Sequence, residues 1–201
     1  MNNLIIAEKI TEKIKLYHQL FRFPLKAELW EDIFDQSIND SKSRWEGGSH
    51  TQGGDVTGPD GISYQNKSGK ISINQDTMRW SGNRLTKHNG LDAKVNFISS
   101  HLYDKYAFLA RDDHDWNNNN KIYYFIVLDA SFIDYSFEAL SWRETFAERG
   151  AMKGKCNGWK GESSDYYAEI RKQMSDQLWT TAKLSYLKKC ADIYERIDAN
   201  S

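Results

Sequence analysis

Cysteine is scarce in this sequence: Cys156 and Cys190 are the only two among 201 residues, and they form no CxxC pair. That excludes a disulfide framework and predicts a reducing interior. No apolar run approaches the roughly 20 residues of a membrane span, and the N-terminus lacks the layout of a secretory signal. A cytoplasmic protein is the expectation. Net charge is −1, which by itself argues against a nonspecific polyanion binder. No internal repeat occurs, and the four asparagines at 117–120 are the only low-complexity stretch.

What is present is more informative. The length suits one domain spanning residues 1–201, with enough chain for a real core. Charge is unevenly spread: residues 61–99 hold six Lys/Arg against two acids, whereas 100–150 carry an excess of acids. A local basic segment suits phosphate contacts, although charge also fluctuates along any chain. Seven tryptophans and eleven tyrosines are many for this length. They read either as core packing or as a sugar-binding or base-stacking surface.

Apolar residues at Ile6, Ile10, Ile14, Tyr17 and Phe21 predict a helix over residues 3–21, with His18 as a surface or packing residue. A second helix is predicted from Pro24, a residue favoured at the first helical position. Its apolar face gathers Leu29, Trp30, Ile33, Phe34 and Ile38, with Glu31 on the border and Glu28 pointing away. Residues 91–109 show helical spacing through Leu91, Val95, Ile98, Leu102, Tyr106 and Leu109, and 112–120 read as a solvated loop despite its acids and His114. Ile122–Asp129 is a continuous apolar run, the pattern of a strand buried on both faces. Short helices and irregular chain are predicted for 131–162. Tyr166–Arg171 reads as a strand or a helix start, and 182–197 as a C-terminal helix.

The stretch 47–73, GGSHTQGGDVTGPDGISYQNKSGKISI, is the centre of the functional reading. Thr57, Gly58, Pro59, Asp60 and Gly61 form a turn signal between two strands. If the turn centres near Asp60, Asp55 lies across from Gln65, and Lys67 shares a strand face with Gln65. An acid, an amide oxygen and an amine beside a glycine-rich backbone suit a metal and phosphate site. Further on, Ser81, Arg84, Thr86 and Lys87 mix hydroxyls with cations, as a phosphate-contacting loop requires.

These residues resemble the PD-(D/E)XK nucleases, and among them the type II restriction endonucleases. Asp55 matches the first acid of that motif, and Gln65-Asn66-Lys67 the second element, with glutamine in the acidic place. The literal Pro59-Asp60 falls only a few residues before Gln65, on the turn, and is read as structural. Trp45, Gly48-Ser49-His50 and Gly53-Gly54-Asp55 resemble an approach found in several of these enzymes. Ser81, Arg84 and Thr86 resemble a Ser-x-x-Arg-x-Thr element, and residues 174–179 a C-terminal segment of some members.

The resemblance implies an α/β fold with a central mixed β-sheet flanked by α-helices, Ile122–Asp129 lying beyond the lysine strand. It implies Mg²⁺-dependent hydrolysis of double-stranded DNA at specific sites. Asp55, Gln65 and Glu31 would be metal ligands, Glu46 being an alternative source of the charge that Gln65 lacks, and Lys67 would complete the catalytic set. His50, Ser81, Arg84, Thr86, Lys87 and Gln177 would contact DNA, with His50 also readable as a loop-pinning residue. A homodimer and a cognate DNA methyltransferase as genetic partner follow from the same resemblance, and the lack of a long apolar run predicts no membrane association. A repair or junction nuclease of the same fold, and a non-enzymatic tryptophan-rich carbohydrate- or nucleic-acid-binding module, are the competing readings.

Overall fold

Two runs of the chain are apolar without alternation, and they lie side by side in the middle of one layer. The computed structural model describes residues 3–39 and 55–200. In it, β4 (Lys105–Asp112) and β5 (Ile122–Asp129) pair antiparallel, and β5 is buried at every residue but its last. A strand covered on both faces has no solvent side to mark with polar residues.

The remaining strands are β1 (Val56–Thr57), β2 (Ser63–Ser72), β3 (Thr77–Arg84), β6 (Ser141–Phe146), β7 (Cys156–Glu162), β8 (Tyr166–Arg171), β9 (Gln177–Lys183) and β10 (Ile193–Asp198). They form one mixed sheet of ten strands in the order β10-β5-β4-β2-β3-β9-β8-β7-β6, with β1 on β2. Among the described residues only β2 and β4 run parallel; β3 and the helix α3 (Gly90–Ile98) supply the crossover that a parallel pair needs.

One sheet face carries the helices α1 (Asn3–Leu20) and α2 (Ala27–Asn39). Ile10, Ile14, Trp30 and Phe34 meet Leu109, Tyr123 and Phe125 there. The opposite face buries Met78, Trp80, Phe108, Ile126, Tyr135 and Ile170 with α5 (Leu184–Cys190) packed beside them. Among the described residues no helix is long and apolar enough to cross a membrane. Cys156 and Cys190 are free thiols.

Several sequence expectations change. The second helix begins at Ala27 rather than Pro24, because Leu25 is buried and its N–H donates to the Tyr123 hydroxyl at 2.9 Å, tying the approach to β5. The helical period from Leu91 stops at Ile98; Tyr106 and Leu109 belong to β4, where both sheet faces are covered. The stretch 112–120 contains a short helix, α4 (Asp113–Asn117), with the Asp112 carboxylate accepting from the His114 N–H. Residues 131–162 hold the β6–β7 hairpin, and 182–197 divide into the end of β9, α5 and β10. At these sheet margins alternation is weak, so local pattern carries little signal and strand pairing decides. β4, rather than β5, is the direct neighbour of the lysine strand.

The functional geometry starts from a fork. β2 and β3 pair only from Gly69↔Trp80 to Ser72↔Thr77. Beyond that, β2 stays with β4 while β3 continues with β9, through an irregularity between Ser81 and Arg84. At the apex, a Cβ on Gly69 would stand 3.0 Å from the Ala110 Cβ and 3.2 Å from the Met78 sulfur, so close packing keeps this position small.

Candidate active site

The β1–β2 hairpin forms as its turn chemistry predicts, with Val56↔Tyr64 and Thr57↔Ser63 in register. The Asp55 N–H donates to the Tyr64 carbonyl at 2.7 Å, extending the ladder so that Asp55 faces Gln65. Asp60 sits in the turn, where its carboxylate accepts from the Ile62 N–H at 3.2 Å.

Asp55 Oδ2 accepts two hydrogen bonds, from the Asn66 N–H at 2.8 Å and from the Gln65 side-chain amide. Gln65 is 7% exposed. With its NH₂ group turned to Asp55, its Oε1 is left without a hydrogen bond among the described residues. Strand alternation places Gln65 and Lys67 on one face, beside Tyr106 and Phe108 of β4. Asn66 faces the other way and is buried with neither side-chain polar atom partnered among the described residues.

Glu31 joins this group from α2. Partial burial, then the charge of Asp55, raises its carboxyl above the usual range, and Lys67 pulls the other way. Lys67 is half-buried. Desolvation pushes its amine below the usual lysine value, opposed by Asp55 and Glu31. The three charged groups therefore feel one another, and the two carboxylates repel across the site. Glu28 is exposed and adds a smaller repulsion.

Lys67 also borders a cavity of about 30 Å³ inside the fork, lined with Trp80, Asn83, His101, Tyr103 and Tyr106. Behind it the Tyr103 and Tyr106 hydroxyls hydrogen-bond, and the Tyr135 hydroxyl meets Thr180 Oγ1 at 2.9 Å. Burial pushes Tyr103 up to about 12, so these hydroxyls keep their protons at neutral pH.

The other predicted residues lie on the second prong. Ser81 pairs with Trp179, and Arg84 ends β3 opposite Gln177. The Gln177 amide donates to the Gly82 carbonyl, which commits it to holding β9 on the prong. Thr86 and Lys87 are exposed in the turn leading to α3. His50 and Glu46 lie outside the described residues.

Sequence reasoning missed Lys94, which is 3% exposed. Its ammonium donates to the Leu85 carbonyl at 2.9 Å and to the His88 carbonyl, and pairs with Asp176 at 3.1 Å. It thus pins the turn carrying Thr86 and Lys87. The available signal was its place on the apolar stripe of α3, between Leu91 and Ile98. The tyrosines behind Lys67 left no such signal, because β4 reads as ordinary core.

Among the described residues no three His, Cys, Asp or Glu side chains converge as a metal cluster. Mg²⁺ needs fewer protein donors, since it keeps several waters and binds through one or two carboxylates with substrate phosphate oxygens. Asp55 and the Gln65 Oε1 are hard oxygen donors that fit it, and Glu31 on α2 carries a third donor of the same chemistry. No protein-family model and no curated protein matches the chain.

Proposed function

We propose that this chain is a Mg²⁺-dependent, sequence-specific endonuclease acting on double-stranded DNA, built on a restriction-endonuclease-like PD-(D/E)XK core. The observation that carries the reading is geometric: at the open side of a strand fork the Asp55 carboxylate accepts from the Gln65 side-chain amide and the Asn66 N–H, and Lys67 shares the strand face of Gln65. Helices flanking a mixed sheet, and a lysine strand running parallel to its neighbour, support the same core.

Bound Mg²⁺ would supply Lewis-acid stabilisation of the phosphate. Asp55, the Gln65 Oε1 and Glu31 would hold it, with Glu31 contributing the second negative charge that Gln65 lacks. In the hydrolysis, water adds to phosphorus and the phosphorus–sugar oxygen bond breaks, leaving one phosphate end and one hydroxyl end. The Lys67 ammonium orients the attacking water and donates to a phosphate oxygen as charge develops. Arg84, Lys87, Ser81 and Thr86 on the second prong contact the DNA backbone. A homodimer matched to two-fold DNA, and a companion methyltransferase, belong to the same proposal.

Among the described residues the tryptophans present no row of exposed rings, so they give no motive for a carbohydrate-binding surface. Trp30 and Trp80 are fully buried, and Trp116, Trp142, Trp159 and Trp179 are half-buried.

Plasmid digestion with Mg²⁺ tests the proposal. Wild type should give fragments with fixed ends, and Asp55→Ala and Lys67→Ala should give none. Full cleavage by Asp55→Ala would overturn the site. Cutting confined to branched or damaged DNA would instead assign a repair or junction nuclease.

A further inference from the structure

The ends of five strands form a continuous rim on the same side of the sheet as the fork. Register links them in turn: Arg84↔Gln177, Gln177↔Arg171, Arg171↔Gly158, and Cys156↔Phe146 at the far edge. Lys67 lies two residues beyond the fork apex, toward this rim. Four interstrand steps of about 4.8 Å make the rim roughly 19 Å long.

The far end of the rim is the β6–β7 connection, residues 147–155. It is a structured loop: the Ala147 N–H donates to the Lys155 carbonyl at 3.0 Å, and the Gly154 N–H to the Ala147 carbonyl at 2.8 Å. Gly150 and Gly154, at φ 73° and 77°, supply the left-handed conformations it needs. Arg149, Lys153 and Lys155 are all exposed on it.

Pairing sets these cations apart. Elsewhere on this half of the sheet Arg79 and Arg171 flank Glu169, Arg143 and Lys160 flank Glu162, and Lys183 faces Asp165. Among the described residues Arg84, Arg149, Lys153 and Lys155 have no acidic partner. Lys172, also at the rim, lies over the Trp159 ring rather than against an acid. At the same side of the sheet, the strand ends beyond β2 carry the acids Asp104, Asp129 and Asp192 around Lys105. Glu148 is the one acid of the loop and leaves it a net +2, and Asp176 is paired with Lys94, so the rim is basic on one side of the fork and acidic on the other.

We propose that the strand-end rim from Arg84 to the β6–β7 loop is a second docking surface for the DNA duplex. Arg149, Lys153 and Lys155 neutralise backbone phosphates away from the cut point. Exposed Phe146 and Met152 add apolar surface beside these cations, the mixture that groove-facing elements use. This rests on the nuclease reading for its substrate, but not on the catalytic residues.

The test compares full-length wild type with Arg149→Ala/Lys153→Ala/Lys155→Ala for binding to plasmid DNA across a salt series, without divalent cation, and for nicking with Mg²⁺. Each phosphate contact contributes about 0.9 to the slope of log affinity against log salt. The triple variant should therefore lose about 2 to 3 of that slope and at least tenfold in affinity, with unchanged thermal melting. Lys13→Ala/Lys15→Ala/Lys121→Ala removes the same charge far from the rim, and should bind as wild type. An unchanged slope in the rim variant, or an equal loss in the distal variant, would overturn the proposal. A triple variant that binds and nicks DNA as well as wild type leaves the nuclease reading standing and removes the rim. Rim-dependent binding without nicking does the reverse.

Discussion

Glu31 shows how a carboxyl's surroundings change its protonation on the flank of a helix. Its folded carboxyl holds a proton to higher pH than in the unfolded chain. Folding is therefore favoured by this group at low pH, and the benefit is lost as pH rises through the folded pKa; above it, ionised Glu31 opposes folding. Glu31→Gln should accordingly raise the melting temperature at pH 8 in EDTA, and the gain should vanish below about pH 4, where the unfolded carboxyl is also protonated. Mg²⁺ should stabilise wild type more than the variant, because it neutralises the Glu31–Asp55 repulsion. Equal melting of the two proteins at pH 8, with and without Mg²⁺, would remove Glu31 from the site. At this scale the sequence was legible where side-chain direction follows from periodicity. Strand alternation put Gln65 with Lys67, and the helical wheel put Glu31 on the border of an apolar face.

Among the elements, the fork depends on its second prong being held in place. The turn between β3 and α3 is tied by a buried ammonium to two carbonyls and to Asp176. Removing one member of a buried pair leaves the other uncompensated, which typically costs about 3–5 kcal/mol. Lys94→Ala should approach the lower end of that range in urea unfolding, since Asp176 is 20% exposed, and should also weaken DNA binding through Thr86 and Lys87. A Lys94→Ala protein as stable as wild type would show that the turn is held by its backbone alone. The helix containing Lys94 was evident from spacing, but its end was not. Tyr106 and Leu109 continue the helical period by coincidence, and only pairing with β2 and β5 makes them strand residues.

For the whole molecule, one sheet separates two apolar layers, with Phe125 and Phe108 each fully buried on opposite faces. Phe125→Ala and Phe108→Ala should each lose about 3–5 kcal/mol in denaturant unfolding; a loss under 1 kcal/mol for either would mean that its layer collapses around the gap. By itself, the sequence determined the parts governed by local chemistry: α1, most of α2, the turn that aligns Asp55 with Gln65, and β5 as a buried strand. Each follows from spacing, turn residues or an unbroken apolar run within a short window. Tertiary structure alone decided that residues 182–197 end β9, turn through α5 and add β10 instead of forming one helix, because edge and margin strands are specified by their partners. It also decided that β2 and β3 part to open the fork, and that cations of β3 and the β6–β7 loop with no acidic partner among the described residues share a rim. Residues 84 and 149 are far apart in sequence, and only hydrogen-bonded register across the sheet brings them to one side.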